Sequence, residues 1–173
     1  MSTLGRILLC VSVIGALTPR GRAEAPDLRI NEVMALNSSL VPDAQGQYDD
    51  WIELHNTGGQ LVDIGGMYLT DDPEIPTKWR IPTDRPLYTR ILPNGYLIVW
   101  MDGDVADLGL HAGFRLDADG DQLALFDADG RTLIDSVEFD EQAPNVSYGR
   151  DAAAQDQWRF FATPSPGAPN VGA

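Results

Sequence analysis

Turn-forming pairs interrupt this sequence from end to end, and they limit its fold more than any other feature. The clearest pairs are Gly58-Gly59, Gly65-Gly66, Asn94-Gly95, Asp119-Gly120 and Asp129-Gly130. Glycine and proline together supply 29 of the 173 residues. After residue 25, no window of ten or more residues keeps the 3.6-residue apolar period of a helix. Short antiparallel strands in a β-sandwich or barrel are therefore predicted.

The strand predictions follow from alternating apolar residues and from the turns that bound them. The run 96–101 is apolar throughout, which predicts a strand buried on both faces. The turn at 57–60 predicts a hairpin between its flanking strands, and Asp119-Gly120 predicts another. The predicted strands are 28–34, 51–56, 61–64, 67–70, 78–81, 96–101, 114–116, 122–126, 132–139, 147–150 and 158–161.

Residues 1–25 have the pattern of a secretory signal peptide. Arg6 precedes an uncharged apolar run at 7–17, which is too short to span a bilayer, and small residues at Ala23 and Ala25 offer a cleavage site. Export predicts a protein that is secreted, periplasmic or held at the cell surface, and an uncleaved signal anchor is the alternative. Residues 26–173 are then a single domain with no transmembrane segment.

Charge and cysteine content exclude several classes of function. The chain has 26 acidic and 12 basic side chains, a net charge of -14. Removing residues 1–25 leaves 25 acidic and nine basic side chains in 148 residues and takes away Cys10, the one cysteine. Such a surface repels a nucleic-acid backbone, so nucleic acid is not an expected partner. Thiol catalysis and disulfide staples are excluded for the exported chain.

Acidic residues offer the weak metal candidates of the sequence. Asp117, Asp119 and Asp121 alternate around a glycine, and Asp102 and Asp104 follow the apolar strand at 96–101. Calcium binds several oxygens from one tight loop, but this spacing lacks the glutamate at position twelve of an EF-hand. A hairpin turn with solvated carboxylates is the favoured interpretation of the first group. No cofactor is expected, and calcium is the one ion for which binding is left as an alternative.

Candidates for catalysis are few. His55 and His111 are the histidines of the chain, and Asp135-Ser136 would complete a triad only if the fold brought these residues together. The sequence contains no Gly-x-Ser-x-Gly motif. The alternation of a predicted strand already explains Asp135 and Ser136. No catalytic residue is therefore expected.

Two further groups of residues have both a functional and a structural interpretation. The tryptophans would form a platform for sugar stacking or would pack in the core, and core packing is favoured. Several polar residues at strand ends are expected to bind turns through their side chains rather than to bind a ligand. The tryptophans are Trp51, Trp79, Trp100 and Trp158, and the polar residues are Asn31, Glu32, Asp50, Glu53 and Asn56.

Ordered motifs along residues 28–170 resemble the lamin tail domain family, in its bacterial, secreted branch. They begin with Ile30-Asn31-Glu32-Val33-Met34-Ala35 and end with a proline-rich stretch, and their order and spacing together carry the resemblance. The resemblance implies an immunoglobulin-like β-sandwich that serves as a binding or adhesion module. The other motifs are 50–58, 62–72, 76–79, 92–96, 110–114, 135–137, 147–150 and 163–170.

The expected function is a non-enzymatic β-sandwich module that binds an extracellular protein or glycan at the cell surface. An accessory module or weak hydrolase that acts on extracellular substrates is the first alternative. An envelope scaffold is the second.

We expect the mature N-terminus to fall between residues 23 and 29, because the small residues of the cleavage site end there. N-terminal sequencing of the exported protein measures it. Recovery of Met1 or Ser2 in a membrane fraction would instead indicate an uncleaved anchor.

Overall fold

The computed structural model describes residues 26–172, so the predicted signal peptide lies outside the described residues. One short helix, α1 (Pro86–Thr89), is present in this part of the chain, and no helix there is long and apolar enough to cross a membrane. The strands are β1 (Leu28–Met34), β2 (Trp51–Asn56), β3 (Val62–Asp63), β4 (Tyr68–Thr70), β5 (Trp79–Arg80), β6 (Arg90–Ile91), β7 (Tyr96–Trp100), β8 (Gly120–Phe126), β9 (Leu133–Asp140), β10 (Ser147–Asp151) and β11 (Ala154–Phe161).

The strands form two main antiparallel sheets. A five-stranded sheet has the order β11-β10-β1-β2-β7, and a four-stranded sheet has the order β5-β4-β8-β9. A third, two-stranded sheet joins β3 to β6. The predicted all-β, immunoglobulin-like β-sandwich of short antiparallel strands is confirmed.

The core lies between the two main sheets. On β2, Ile52 and Leu54 point inward and are fully buried, as alternation along a strand predicts. They belong to the same cluster as Leu69 on β4 and Leu123 on β8. Burial of apolar side chains from both sheets in one cluster drives them together without any disulfide among the described residues.

The hairpin predicted between 51–56 and 61–64 is wrong. The turn forms, but β3 pairs with β6, with Val62 opposite Ile91. Both edges of β2 are already occupied, one by β1 and the other by β7, so β2 has no edge left for β3. The Asn56 amide donates to Gln60 O at 2.7 Å and to Ile91 O at 3.0 Å. These bonds hold the segment after β2 next to β6 rather than next to β2.

Two other strand predictions are also corrected. Residues 114–116 form no strand; Arg115 makes one isolated bridge with Asp102, although Phe114 and Leu116 are buried in the core. The apolar strand β7 is not buried on both faces, because it lies at the edge of its sheet. Its first three residues are half-buried, and only Val99 and Trp100 are buried.

A proline-rich segment at 163–170, the C-terminal strap, lies against β1, β2 and β10. Asn170 is fully buried, and its amide donates to Asn31 O at 2.9 Å and to Arg150 O at 3.0 Å. Ser165 Oγ donates to Asn170 Oδ1 at 2.8 Å, which fixes the orientation of the amide. Gly149 on β10 leaves the space that this side chain fills, since a Cβ there would lie 2.4 Å from Asn170 Nδ2.

Gly149→Ala is expected to destabilise the protein by about 1–3 kcal/mol, the usual cost of overpacking a filled site. Chemical denaturation measures the change in the free energy of unfolding. Gly59→Ala is the matched control, because a Cβ at Gly59 meets no atom within 4 Å. The cost should shrink in an Asn170→Ala background; an equal cost in both backgrounds would show that Asn170 is not the cause.

Candidate functional site

The outer face of the five-stranded sheet, which points away from the core, carries the polar and aromatic residues of its strands. Alternation along β2 places Trp51, Glu53 and His55 there. On β7 the same alternation brings Ile98 and Trp100 to this face. Met34, Trp51 and Trp100 form a second buried cluster against which Val41 and Ile98 pack. The long loop 36–50 therefore covers one end of the face.

Two carboxylates are buried side by side on this face. A bulge in β1 between Ile30 and Glu32 sets Glu32 directly opposite Glu53 of β2, and both side chains are fully buried. Asn31, inside the bulge, donates its amide to Glu53 Oε1 at 2.8 Å. Ser147 Oγ donates to Glu32 Oε1. Burial of a carboxylate is costly unless donors surround it, and these side chains supply part of that set.

The C-terminal strap supplies the remaining donors. Its Ser165 N–H lies 3.3 Å from both carboxylate oxygens of Glu32, and its Gly167 N–H donates to Glu53 Oε2. Burial raises the pKa of Glu53 to about 7, against the lowering effect of Gly167 and Asn31, and the nearby Glu32 raises it further. Burial also raises the pKa of Glu32, against the hydrogen bonds from Ser147 and Ser165.

A groove of about 390 Å³ opens between β7 and the strap. We call it the edge groove. Its aromatic residues are Tyr88 of α1 with Tyr96 and Trp100 of β7, and Glu53 is its carboxylate. The lining is completed by Leu97, Ile98, Gly109, Leu110, Pro166 and Gly167. A concave, mostly apolar site with a few polar groups is the usual form of a ligand site.

The histidines are held by other residues. His111 is buried; its Nδ1 lies 2.7 Å from Asp102 Oδ2 and its Nε2 lies 3.2 Å from Leu108 O. Both ring nitrogens face oxygen atoms of Asp102 and Leu108, and in the described contacts neither nitrogen meets the hydroxyl group of a nucleophile. The ring of His55 stacks on Tyr96 with centroids 4.2 Å apart.

The remaining members of the hypothetical triad have partners elsewhere. Asp135 accepts two hydrogen bonds of 2.9 Å from Arg150 and one of 2.8 Å from the backbone N–H of Ile30. Ser136 lies on β9 opposite Ala124. The described contacts thus join neither Asp135 nor Ser136 to a histidine.

The weak metal candidates lie in two separate places. Asp117, Asp119 and Asp121 form the turn before β8, where Asp117 Oδ1 accepts from Asp119 N at 2.9 Å and Asp121 Oδ2 accepts from Asp117 N at 3.1 Å. Asp102, besides its contact with His111, accepts from Asp104 N at 2.9 Å. Across residues 26–172, no three metal-binding side chains converge on one point. The expectation of no cofactor, with calcium left open, stays a prediction.

The four tryptophans do not form one platform. Trp51 and Trp100 are buried together, while Trp79 packs on the core beside β4. Trp158 instead stacks on Tyr148, with centroids 5.3 Å apart, and Tyr148 contacts Phe160 at 4.9 Å. We call these three residues the aromatic row. Sequence reasoning missed Tyr148 and Phe160, although the predicted final hairpin placed all three on neighbouring strands.

Sequence reasoning also missed the residues that make the edge groove. Tyr88 follows Pro86 in a segment with no strand or helix pattern, so nothing in the sequence pointed to it. Tyr96 belongs to the apolar run that was interpreted as buried on both faces. The expected structural role of the polar motif residues agrees with their contacts, since Asp50 accepts from Asn37 N at 3.2 Å and Asn56 binds three carbonyl groups.

The free energy of unfolding should fall as the pH rises from 5 to 8. A folded-state pKa of about 7 for Glu53 means that its contribution is complete below pH 4.5 and is lost as the pH passes 7. The loss amounts to roughly 2–3 kcal/mol. Urea denaturation at each pH measures it. Glu53→Gln should make the curve less steep, whereas Glu138→Gln, at an exposed position of β9, should leave the slope unchanged; equal slopes for Glu53→Gln and the parent would contradict the assignment.

Comparison with known proteins identifies the family of the chain. No curated protein matches the chain. The sequence profile of the Lamin Tail Domain family matches residues 22–141, more than half of the chain. The match includes β1 through β9, which form the whole four-stranded sheet and three strands of the five-stranded sheet, and the immunoglobulin-like fold of that family agrees with the sandwich described above. The chain belongs to the lamin tail domain family.

Proposed function

We propose that this protein is a secreted, non-enzymatic module that binds an extracellular protein at the cell surface, and that the edge groove is its binding site. Membership in a family of non-catalytic, immunoglobulin-like domains supports a binding or scaffold role. The signal-peptide pattern of residues 1–25 supports export, and the resemblance of the motifs to the bacterial branch of the family supports a cell envelope as its place of action.

The edge groove is the observation that carries the proposal. Tyr88 is 38% exposed there, and Tyr96 is half-buried, so both rings offer surface to a ligand. Tyrosine is enriched in binding hot spots because its rigid ring buries a large area while its hydroxyl stays hydrogen-bonded. The volume of about 390 Å³ accommodates a short peptide segment.

A weak hydrolase, the first alternative, gains little support from the contacts of the histidines. His111 is held by Asp102 and Leu108, and His55 stacks on Tyr96. A hydrolase would require a base within reach of a nucleophile, and neither ring meets one in the described contacts. Loss of a measured hydrolytic activity in both His55→Ala and His111→Ala, with the fold intact, would favour this alternative.

Glycan binding has an observation of its own. Tyr148 and Phe160 of the aromatic row line a cleft of about 240 Å³ with Glu138 and Asp140 of β9. Aromatic rings can stack on the apolar face of a sugar while carboxylates accept its hydroxyl groups. This cleft is the second candidate site. An envelope scaffold, the remaining alternative, would appear as self-association in size-exclusion chromatography.

Tyr96→Ala should weaken ligand binding at least tenfold, because tyrosine is enriched among hot-spot residues and truncation of such a residue costs about 2 kcal/mol or more. The ligands come from arrays of extracellular proteins and glycans, and surface plasmon resonance measures the affinity of each hit. Leu133→Ala is the matched control, since Leu133 is 51% exposed on β9, outside both clefts.

Phe160→Ala separates the two candidate sites. If binding depends on Phe160 and not on Tyr96, the ligand lies at the aromatic row and the edge groove is the wrong assignment. Thermal melts of all three variants verify that each remains folded.

A further inference from the structure

The backbone of β7 alternates between its partner strand and its free edge. Gly95 O accepts from Asn56 N at 3.0 Å, and Met101 N donates to Asp50 O at 2.7 Å. The backbone N–H and C=O groups of the odd-numbered residues therefore point toward the β2 side. Trp100 points the other way, since its N–H donates to Leu110 O at 2.9 Å and its carbonyl accepts from Ala112 N at 2.7 Å. By the same alternation, the N–H and C=O groups of Tyr96 and Ile98 point to the edge.

These four backbone groups have no hydrogen-bond partner within residues 26–172. β7 pairs only with β2 among the described strands, and the bridge to His111 stops at Trp100. Tyr96 and Ile98 line the edge groove and are half-buried. Unpaired N–H and C=O groups along the edge of a strand are a ready template for pairing with another chain, so this edge is suited to an added strand.

One residue of the free edge of β7 already pairs with another segment of the same chain. The segment 110–112 pairs with Trp100 through one parallel β-bridge at His111. Gly109 then turns the chain away from the edge, with φ at +126° and a position where a Cβ would lie 3.2 Å from His111 Nε2. This pairing therefore ends before it reaches Ile98.

We propose that an extended segment of a partner polypeptide adds to β7 as a strand at Tyr96 and Ile98, with its side chains against Tyr88, Tyr96 and Pro166. The inference rests on the proposed function and names its mode of recognition. Main-chain hydrogen bonds give such complexes their affinity, and the pockets beside the edge give them specificity.

Charge favours a different, basic protein as the partner. Asp104 is exposed and Asp107 is half-buried in the loop that leads from β7 to Gly109, and no basic side chain pairs with either in the described contacts. The chain as a whole has a net charge of -14. Two copies that paired through this edge would repel each other, whereas lysine or arginine residues beside the added strand would be attracted.

Displayed random ten-residue peptides are the probe, and the best binder that requires Tyr96 is resynthesised with single backbone N-methyl groups. N-methylation removes one peptide N–H at a time without any change to the protein. We expect affinity to fall at least tenfold at alternate positions of the bound stretch and to change less than twofold at the positions between, because alternate residues of an added strand face β7.

Ile98→Pro tests the same contact from the side of the protein. It removes the edge N–H of Ile98 and leaves the hydrogen bonds of Leu97 and Val99 to β2 in place, a position at which proline is tolerated in edge strands. Affinity should fall at least tenfold, while Ile98→Val, the matched control, should stay within twofold of the parent. If Ile98→Pro does not fold, the N-methyl series decides alone.

Three outcomes would overturn the inference. N-methylation that is tolerated at every position would exclude strand addition, although binding that still needs Tyr96 would leave the proposed function standing. In the second outcome, the selection yields no peptide while a protein or glycan still binds through Tyr96. That result would also exclude strand addition and leave the proposed function standing. A dimer in size-exclusion chromatography that Ile98→Pro dissolves would show that the occupant is a second copy of this chain.

Discussion

Two carboxylates that have no access to water, Glu32 and Glu53, organise one whole face of this sandwich. A buried carboxylate is tolerated only where donors replace its water, and the strands alone supply just Asn31 and Ser147. The backbone of the C-terminal strap provides the rest through Ser165 and Gly167. The strap is thus held by electrostatics on a face whose other residues are largely aromatic.

The position of the strap decides where a ligand site can exist. Because Gly167 is tied to Glu53, Pro166 and Gly167 form part of the lining of the edge groove, next to Tyr96 and Ile98 of β7. Without the strap, Glu53 would lose a donor and the groove would lose that part of its lining. The same contact therefore contributes to the stability of the sheet and to the shape of the site.

Local sequence pattern was sufficient for most of the strands, although it missed β6 and predicted a strand at 114–116 that does not form, and it was insufficient for their partners. Alternation and turn residues located β1, β2, β8 and the final hairpin correctly, because these signals depend on neighbours in the chain. The partner of β3 was wrong, since the loss of a free edge on β2 is a property of the assembled sheet. The apolar run at β7 predicted burial but could not reveal that its outer side lines a groove.

The candidate site was harder to predict, for the same physical reason. Glu53 and Gly167 are 114 residues apart in the chain, and Glu32 and Ser165 are 133 apart. Contacts between residues so far apart in the chain produce no periodic pattern in the sequence. The resemblance to a family marked both the glutamates and the proline-rich segment as motifs, yet only the structure shows that one motif binds the other.

The folding unit extends beyond the residues that match the family profile. That match ends at residue 141, but β10 pairs with β1 at Glu32 and Val33, and Arg150 of β10 forms the ion pair with Asp135 of β9, whose side chains are only 13% and 16% exposed. A chain that stopped at 141 would leave β1 with an open edge, and it would leave Asp135 without its cation. Glu32 and Glu53 would also lose every donor from the strap. Residues 142–170 are therefore part of the same sandwich, because they supply β10 as the neighbour of β1 and further donors to the acidic side chains of β1, β2 and β9.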